Sequence, residues 1–341
     1  MLRMNDHRIS PNLAALGLYL STALMIVYVT VDTFALDNVA TSDSARYTAM
    51  ADGGIDGVIK PFRFRFLVPW LASFVPKMTS DPDRAAVIQF AAFNVVGMTV
   101  AAFAIYLIAR HYRFSPAMSA IAGLAVLTCY PMLRFGGAPM TDASAYGALA
   151  LALLLALRRR WVWFAVAMLV GMLAKETTVF GGLLALLAVT TARDRWLVVA
   201  ASAPGLLAHS AIRWIIIPTD DGYSYGPSDV LDHFIGLLRP AQFMTTTGQI
   251  ATSFSVLWVF AAVGAWANRN EPVVPQRLLW ALPAIAAISV VIGSNYGRVW
   301  FLAFPVVVLF ALRGVASVRS AGVEVLPQRA VAQHRSRATG K

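Results

Sequence analysis

Charged side chains are sparse in this chain, and those that could do chemistry gather in a few segments. One segment reads Thr41-Ser42-Asp43-Ser44-Ala45-Arg46-Tyr47, then Asp52-Gly53-Gly54-Ile55-Asp56-Gly57, then Lys60-Pro61-Phe62-Arg63-Phe64-Arg65-Phe66. With Ser42 or Asp43 capping a helix, Asp43, Arg46 and Tyr47 share one face through their i, i+3 and i+4 spacing. The alternation from Phe62 to Phe66, read as extended backbone, puts three rings on one side and the Arg63 and Arg65 guanidiniums on the other. Guanidiniums so placed are forks that suit phosphate oxygens, and the rings would hold them against acyl chains. The plainer alternative is an interfacial segment that meets anionic headgroups without selectivity.

Further candidates lie at the ends of apolar runs. Arg134 precedes Gly136-Gly137, Lys175-Glu176 is followed by Thr177-Thr178, Arg213 sits near the end of another run, and Arg298 falls in Ser294-Asn295-Tyr296-Gly297-Arg298. A last segment, Asp220-Asp221-Gly222-Tyr223-Ser224-Tyr225-Gly226, combines paired carboxylates with aromatics. The carboxylates are hard oxygen ligands for a possible divalent cation, and tyrosines such as Tyr223 stack on a sugar or an isoprene unit; a solvated turn is the alternative. No Walker loop, nucleotide fingerprint or His/Cys ligand set is present, so zinc chemistry and ATP hydrolysis have no support. His209 reads as a satisfied buried histidine, and the single Cys129 has no partner within the chain.

The elements that must position these residues are membrane spans. The chain has 341 residues, 58% apolar and 13% charged, which excludes a soluble two-domain protein, a disordered chain and a disulfide-stapled scaffold. Runs long enough for about 30 Å of hydrocarbon cover 13–31, 87–109, 117–133, 140–157, 197–217, 250–267, 278–293 and 299–312, with a further pair between 161 and 191. The first run is longer than a signal-peptide core and reads as a retained anchor. The expected fold is therefore an all-α polytopic transmembrane bundle of about ten spans with both termini inside. In that orientation the inner side holds 17 basic residues against 4 acids and the outer side 11 against 13. Every connection then obeys the positive-inside rule. The net charge of +11 follows from topology and attraction to membrane lipids, not from nucleic-acid binding.

One integral membrane domain is expected over 1–312, and a basic, disordered cytoplasmic tail over 313–341. Two long outer loops, about 32–84 and 218–249, carry short interfacial helices: an apolar stretch over 66–75 with Trp70 at headgroup depth, and an amphipathic one over 230–238 capped by Asp229. Between the inner clusters Arg158-Arg160 and Arg193-Arg195 the chain must cross twice with roughly 15 residues per helix, about 23 Å. The Lys175-Glu176 turn would then sit below the outer surface, on the floor of an outward-facing cavity. A pair of ordinary helix ends snorkelling to headgroups is the other reading. Outer cations run against the positive-inside rule, and a lipid-linked phosphate substrate bound outside would account for them.

On these features the chain resembles the polytopic glycosyltransferases of the GT-C fold class, which use polyprenyl-phosphate-linked sugars. The likeness rests on a first span followed by a long outer loop with an early Asp, Asp43, an interfacial stretch after it, the Lys175-Glu176 turn and a late Arg298 opening the final span. It concerns architecture over nearly the whole chain, and its motifs are short. It implies Asp43 as general base or metal organiser, with Asp52 or Asp56 as substitutes. The residues themselves point to Arg46, Tyr47, Asp52, Asp56, Arg63, Arg65, Arg134, Lys175, Glu176, Tyr223 and Arg298 as substrate-binding. The expected donor is a polyprenyl-phosphate sugar, and the expected acceptor a small or lipid-linked envelope glycan. The expected location is the bacterial inner membrane with its active face outward. The chain lacks the Asp-x-Asp motif that some relatives carry in that loop. A secondary transporter or lipid flippase is the competing class; it typically carries an internal repeat and charges near the midplane, whereas here no clear repeat is visible and the charges cluster toward one face.

Overall fold

The structure, a computed structural model, describes residues 10–34, 42–217, 227–292 and 296–324, which form helices and turns with no strand among them. Helix α1 (Pro11–Thr33) begins where Ser10 accepts from the Leu13 N–H at 3.3 Å and Pro11 opens the first turn. The first long connection, expected to lie outside, holds α2 (Ser42–Ala51), turns at 55–57 and 62–64, and α3 (Leu67–Ala72). Asp81 then caps α4 (Pro82–His111), the longest helix, by accepting from the Asp83 and Arg84 N–H groups. There follow α5 (Pro116–Thr128), α6 (Tyr130–Phe135), α7 (Asp142–Leu157), α8 (Trp161–Ala174), α9 (Val179–Ala188) and α10 (Ala192–Ala211). The last part comprises α11 (Pro227–Leu238), α12 (Pro240–Phe254), α13 (Leu257–Asn270), α14 (Ala281–Ile292), α15 (Tyr296–Trp300) and α16 (Phe304–Glu324).

Among the described residues four helices are long and apolar enough to cross a membrane: 11–33, 82–111, 192–216 and 296–318. These apolar helices fit an integral membrane protein. The remaining apolar segments are short or broken, so ten full-length spans do not appear. The expected span 117–133 divides at Cys129, whose extended backbone separates α5 from α6. The expected span 250–267 divides at Ser255, where a φ of +47° turns α13 by 75° from α12. Between α8 and α9 the break falls at Lys175 and a 3₁₀ turn over Glu176–Thr178, with helices of 14 and 10 residues on either side.

Three further expectations are corrected. The second long connection holds a helix, α11, over the amphipathic stretch expected at 230–238, but it is helical well beyond it, with α11 and α12 filling 227–254 because Pro227 and Pro240 each open a helix. Asp229 lies inside the first turn of α11 and does not cap it. The final helix runs through Glu324, past Arg313 where a disordered tail was expected to begin; Gly314 and Gly322 weaken it, but no proline interrupts it. Residues 325–341 lie outside the described residues.

The core is built around α4, α7 and α16, whose apolar faces are almost completely enclosed. Lipid is as apolar as leucine, so helices in a membrane gain by close backbone approach rather than by burying grease. Gly97 of α4 and Gly147 of α7 permit such an approach: a methyl on Gly147 would stand 2.7 Å from the Gly97 carbonyl oxygen. Gly264 of α13 and Gly314 of α16 do the same at a second crossing, where a methyl on either would collide with the facing backbone. Of the two crossings, that of α4 with α7 fixes the outer end of α7, where Asp142 stands.

Candidate functional site

Charged residues from five distant segments meet at one end of the bundle, the end expected to face outward. Asp142, the first residue of α7, is fully buried and joins two cations. Lys175 Nζ donates to its Oδ1 at 2.8 Å, and Arg298 donates through Nη2 to Oδ2 at 2.7 Å and through Nε to Oδ1 at 3.2 Å. Arg298 Nη1 turns the other way and donates to Asp43 Oδ2 at 2.7 Å. The helix ends suit these charges. Asp142 sits at the amino end of α7, where orphan N–H groups favour an anion, and Lys175 at the carboxyl end of α8, where carbonyls favour a cation.

A second arm of the network comes from the first outer connection. Arg65 Nε donates to Glu176 Oε2 at 2.8 Å, its Nη2 donates to Glu176 Oε1, and its Nη1 donates to the Tyr47 hydroxyl at 2.9 Å. The Thr141 hydroxyl also donates to Tyr47, at 3.5 Å, which ties this arm to the start of α7. Burial pushes the Tyr47 phenol above the ordinary tyrosine range, so it stays protonated at neutral pH. Phe62 packs edge-on against Tyr47 and carries the Arg46 guanidinium over its ring at 4.3 Å.

The network therefore holds Asp43, Tyr47, Arg65, Lys175, Glu176 and Arg298, with Arg46 at its edge. Each of these carries a local signal of its own in the sequence, and the fold brings them together. Sequence reasoning missed Asp142. It reads as an ordinary acid opening an apolar run, and the signal that could have found it is physical: a cation such as Lys175 below the outer surface requires a carboxylate within reach.

Other expected residues fall elsewhere. Asp52 pairs with Lys77 at 2.8 Å, both well exposed and apart from the buried network. Arg134 is exposed on the last turn of α6 and forms no ion pair among the described residues. Arg63 sits in the 3₁₀ turn at 62–64, half-buried. That turn corrects the extended reading of Phe62 to Phe66. The Arg65 N–H closes back on the Phe62 carbonyl at 2.9 Å, so Phe62 and Phe64 pack into the protein instead of facing acyl chains, and Arg65 is buried against Glu176. Tyr223, Asp220, Asp221 and the side chain of Asp56 lie outside the described residues.

The carboxylates differ in what they are free to do. Asp142 is saturated by two cations and has no solvent access, which makes it a positioning group. Asp43 gives one oxygen to Arg298; its other oxygen stands 4.0 Å from Arg46, and its side chain keeps 16% exposure. It is the carboxylate of this pair that an incoming hydroxyl could reach. Arg298 stands between Asp43 and Asp142, where a chelated ion would have to sit, so these two do not fit a divalent cation as arranged. No group of three His, Cys, Asp or Glu suited to a metal occurs among the described residues.

A cleft opens beside the cluster. About 660 Å³ in volume, it lies between α3, α4, α7 and α8 and is walled by apolar side chains including Leu67, Leu71, Val96, Leu151, Trp163 and Val170. Its outer end reaches Ala174, the neighbour of Lys175, and Ser144, two residues beyond Asp142. Val96 and Trp163, 61% and 64% exposed, leave it open on the side that would face lipid. From Ala174 to Trp163 the α8 wall measures about 16 Å at helical rise. No protein-family model, curated protein or solved structure matches this chain.

Proposed function

We propose that this protein is a membrane-embedded glycosyltransferase that moves a sugar from a polyprenyl-phosphate donor to a lipid-linked or envelope acceptor on the outer face of a bacterial inner membrane. The observation that carries the reading is the buried outer cluster Asp43–Arg298–Asp142–Lys175 opening beside an apolar, lipid-facing cleft. A polyprenyl phosphate needs both surroundings at once, a slot in the hydrocarbon for its chain and a cation for its phosphate, which Arg46 at the edge of the cluster offers.

Asp43 is the general base of the proposed reaction. Its open carboxylate oxygen takes the proton of an acceptor hydroxyl as that oxygen bonds to the anomeric carbon, while the bond from that carbon to the phosphate oxygen breaks. The phosphate leaves on the polyprenyl chain with its negative charge increased. Arg46 is placed to meet that charge, because the Asp43 oxygen nearest to it is 4.0 Å away and its stacking on Phe62 fixes its plane. Arg65, Lys175 and Arg298 already hold carboxylates and chiefly shape the site. Asp142 is a positioning residue that aims Arg298 at Asp43.

The test is turnover by the full chain reconstituted in vesicles with a radiolabelled polyprenyl-phosphate sugar and extracted envelope lipids. A glycosyltransferase should move label to acceptor, and Asp43→Asn should lower kcat per folded enzyme by about 10² to 10⁴, with the folded fraction read separately from the thermal midpoint because the change also removes one partner of Arg298. Movement of intact donor across the bilayer, with no cleavage of the sugar, would assign the protein to lipid translocation instead.

A further inference from the structure

A second cleft lies at the opposite end of the bundle, where it has no part in the reaction above. About 500 Å³ in volume, it is formed by the turn between α4 and α5, by the connection after α13 and by the middle of α16. Its walls include His111, Tyr112, Arg113, Val273 and Arg313. On the positive-inside reading this is the cytoplasmic face.

Two arginines from different elements give the cleft its positive charge. Arg113 adopts a φ of +64°, the left-handed region where glycine ordinarily ends a helix, and the Phe114 N–H closes the turn on the Ala109 carbonyl at 3.1 Å. An arginine in that position is strained, and it forms no ion pair among the described residues. Arg313, from α16, faces the same cleft; its carboxylate partner, Glu271 at 2.9 Å, is 80% exposed. The Arg313 Nε and the Tyr112 hydroxyl are both buried without a hydrogen-bond partner among the described residues. Buried polar atoms left unpaired are costly unless something else completes them.

We propose that this cleft binds a phosphate group, held between the Arg113 and Arg313 guanidiniums. Phosphate suits the pair because its oxygens accept forked N–H donors from two directions. Two sources offer that chemistry, the headgroup of an anionic phospholipid in the adjoining leaflet and a small soluble phosphate.

The experiment uses the purified full chain in detergent. Binding is read by native mass spectrometry and by the shift in thermal midpoint, with phosphatidylglycerol, phosphatidylcholine and inorganic phosphate as separate probes. Arg113→Gly is the informative variant, since glycine accepts the backbone geometry and should leave the unliganded midpoint unchanged or raised. Arg313→Gln is the second variant, and Arg134→Gln is the control for loss of one positive charge elsewhere. Phosphatidylglycerol or inorganic phosphate should bind wild type and Arg134→Gln alike, and both cleft variants should bind at least about ten-fold more weakly. Binding of phosphatidylglycerol that millimolar phosphate does not displace identifies the lipid headgroup as the source; binding of inorganic phosphate itself identifies the soluble one. Equal binding of phosphatidylcholine, equal binding by Arg113→Gly, or no binding of either anion would overturn the proposal.

Discussion

Asp142 shows how a residue that touches no substrate can govern a site. Its carboxylate neutralises two cations in a place with no water, and removing its charge leaves Lys175 and Arg298 buried together with only Asp43 to offset them. Breaking a buried ion network from one side costs about 3 to 5 kcal/mol. Asp142→Asn should therefore lower the thermal midpoint of the purified protein markedly, whereas Glu176→Gln should cost less, because the Glu176 side chain is one-third exposed. Arg46→Ala should leave stability nearly unchanged and reduce turnover, which separates the phosphate contact from the framework. Much of this site was legible in the sequence because a cation at the end of an apolar run breaks the rule that charge avoids hydrocarbon, and a residue that breaks a rule stands out. Asp142 broke no rule, and Arg134 broke it without joining the cluster. Spacing along the chain carries no information about which helix ends converge.

Breaks in the helices matter to the site as much as the helices do. The break between the short helices α8 and α9 brings Lys175 and Glu176 to the buried network, and the division at Lys175 was readable from the distance between two arginine clusters. The divisions at Cys129 and Ser255 were not. Their signals, Pro131 opening α6 two residues past Cys129 and the polar Thr252, Ser253 and Ser255, are weak within runs that are otherwise apolar. The expected alternation at Phe62 to Phe66 failed for a related reason: a five-residue pattern of period two is also satisfied by a tight turn that buries its rings, and tertiary packing decides between them. At this scale Gly264 supplies a direct test. Substituting leucine there must force α13 from α16, since even a methyl would meet the facing backbone. Gly264→Leu should lower the thermal midpoint or abolish folding, while leucine at Gly236, which has open space around it, should be neutral.

For the whole molecule, the distribution of charge predicts an orientation. The single cysteine is buried, so replacing Cys129 with serine gives a background in which added cysteines report their own location. Cysteine at Arg159 or Glu271 should react with an impermeant maleimide only from the cytoplasmic side, and cysteine at Asp81 or Lys77 only from outside. The proposed sugar transfer takes place at the outer end, and it is best tested in the cell. Envelope glycans and polyprenyl-phosphate sugars would be quantified by mass spectrometry in a deletion strain carrying wild type or Asp43→Asn at equal expression. The deletion should lose one sugar from a glycan and accumulate the matching lipid-linked donor, and wild type alone should reverse both. Full rescue by Asp43→Asn, or unchanged glycans in the deletion strain, would contradict sugar transfer with Asp43 as its base.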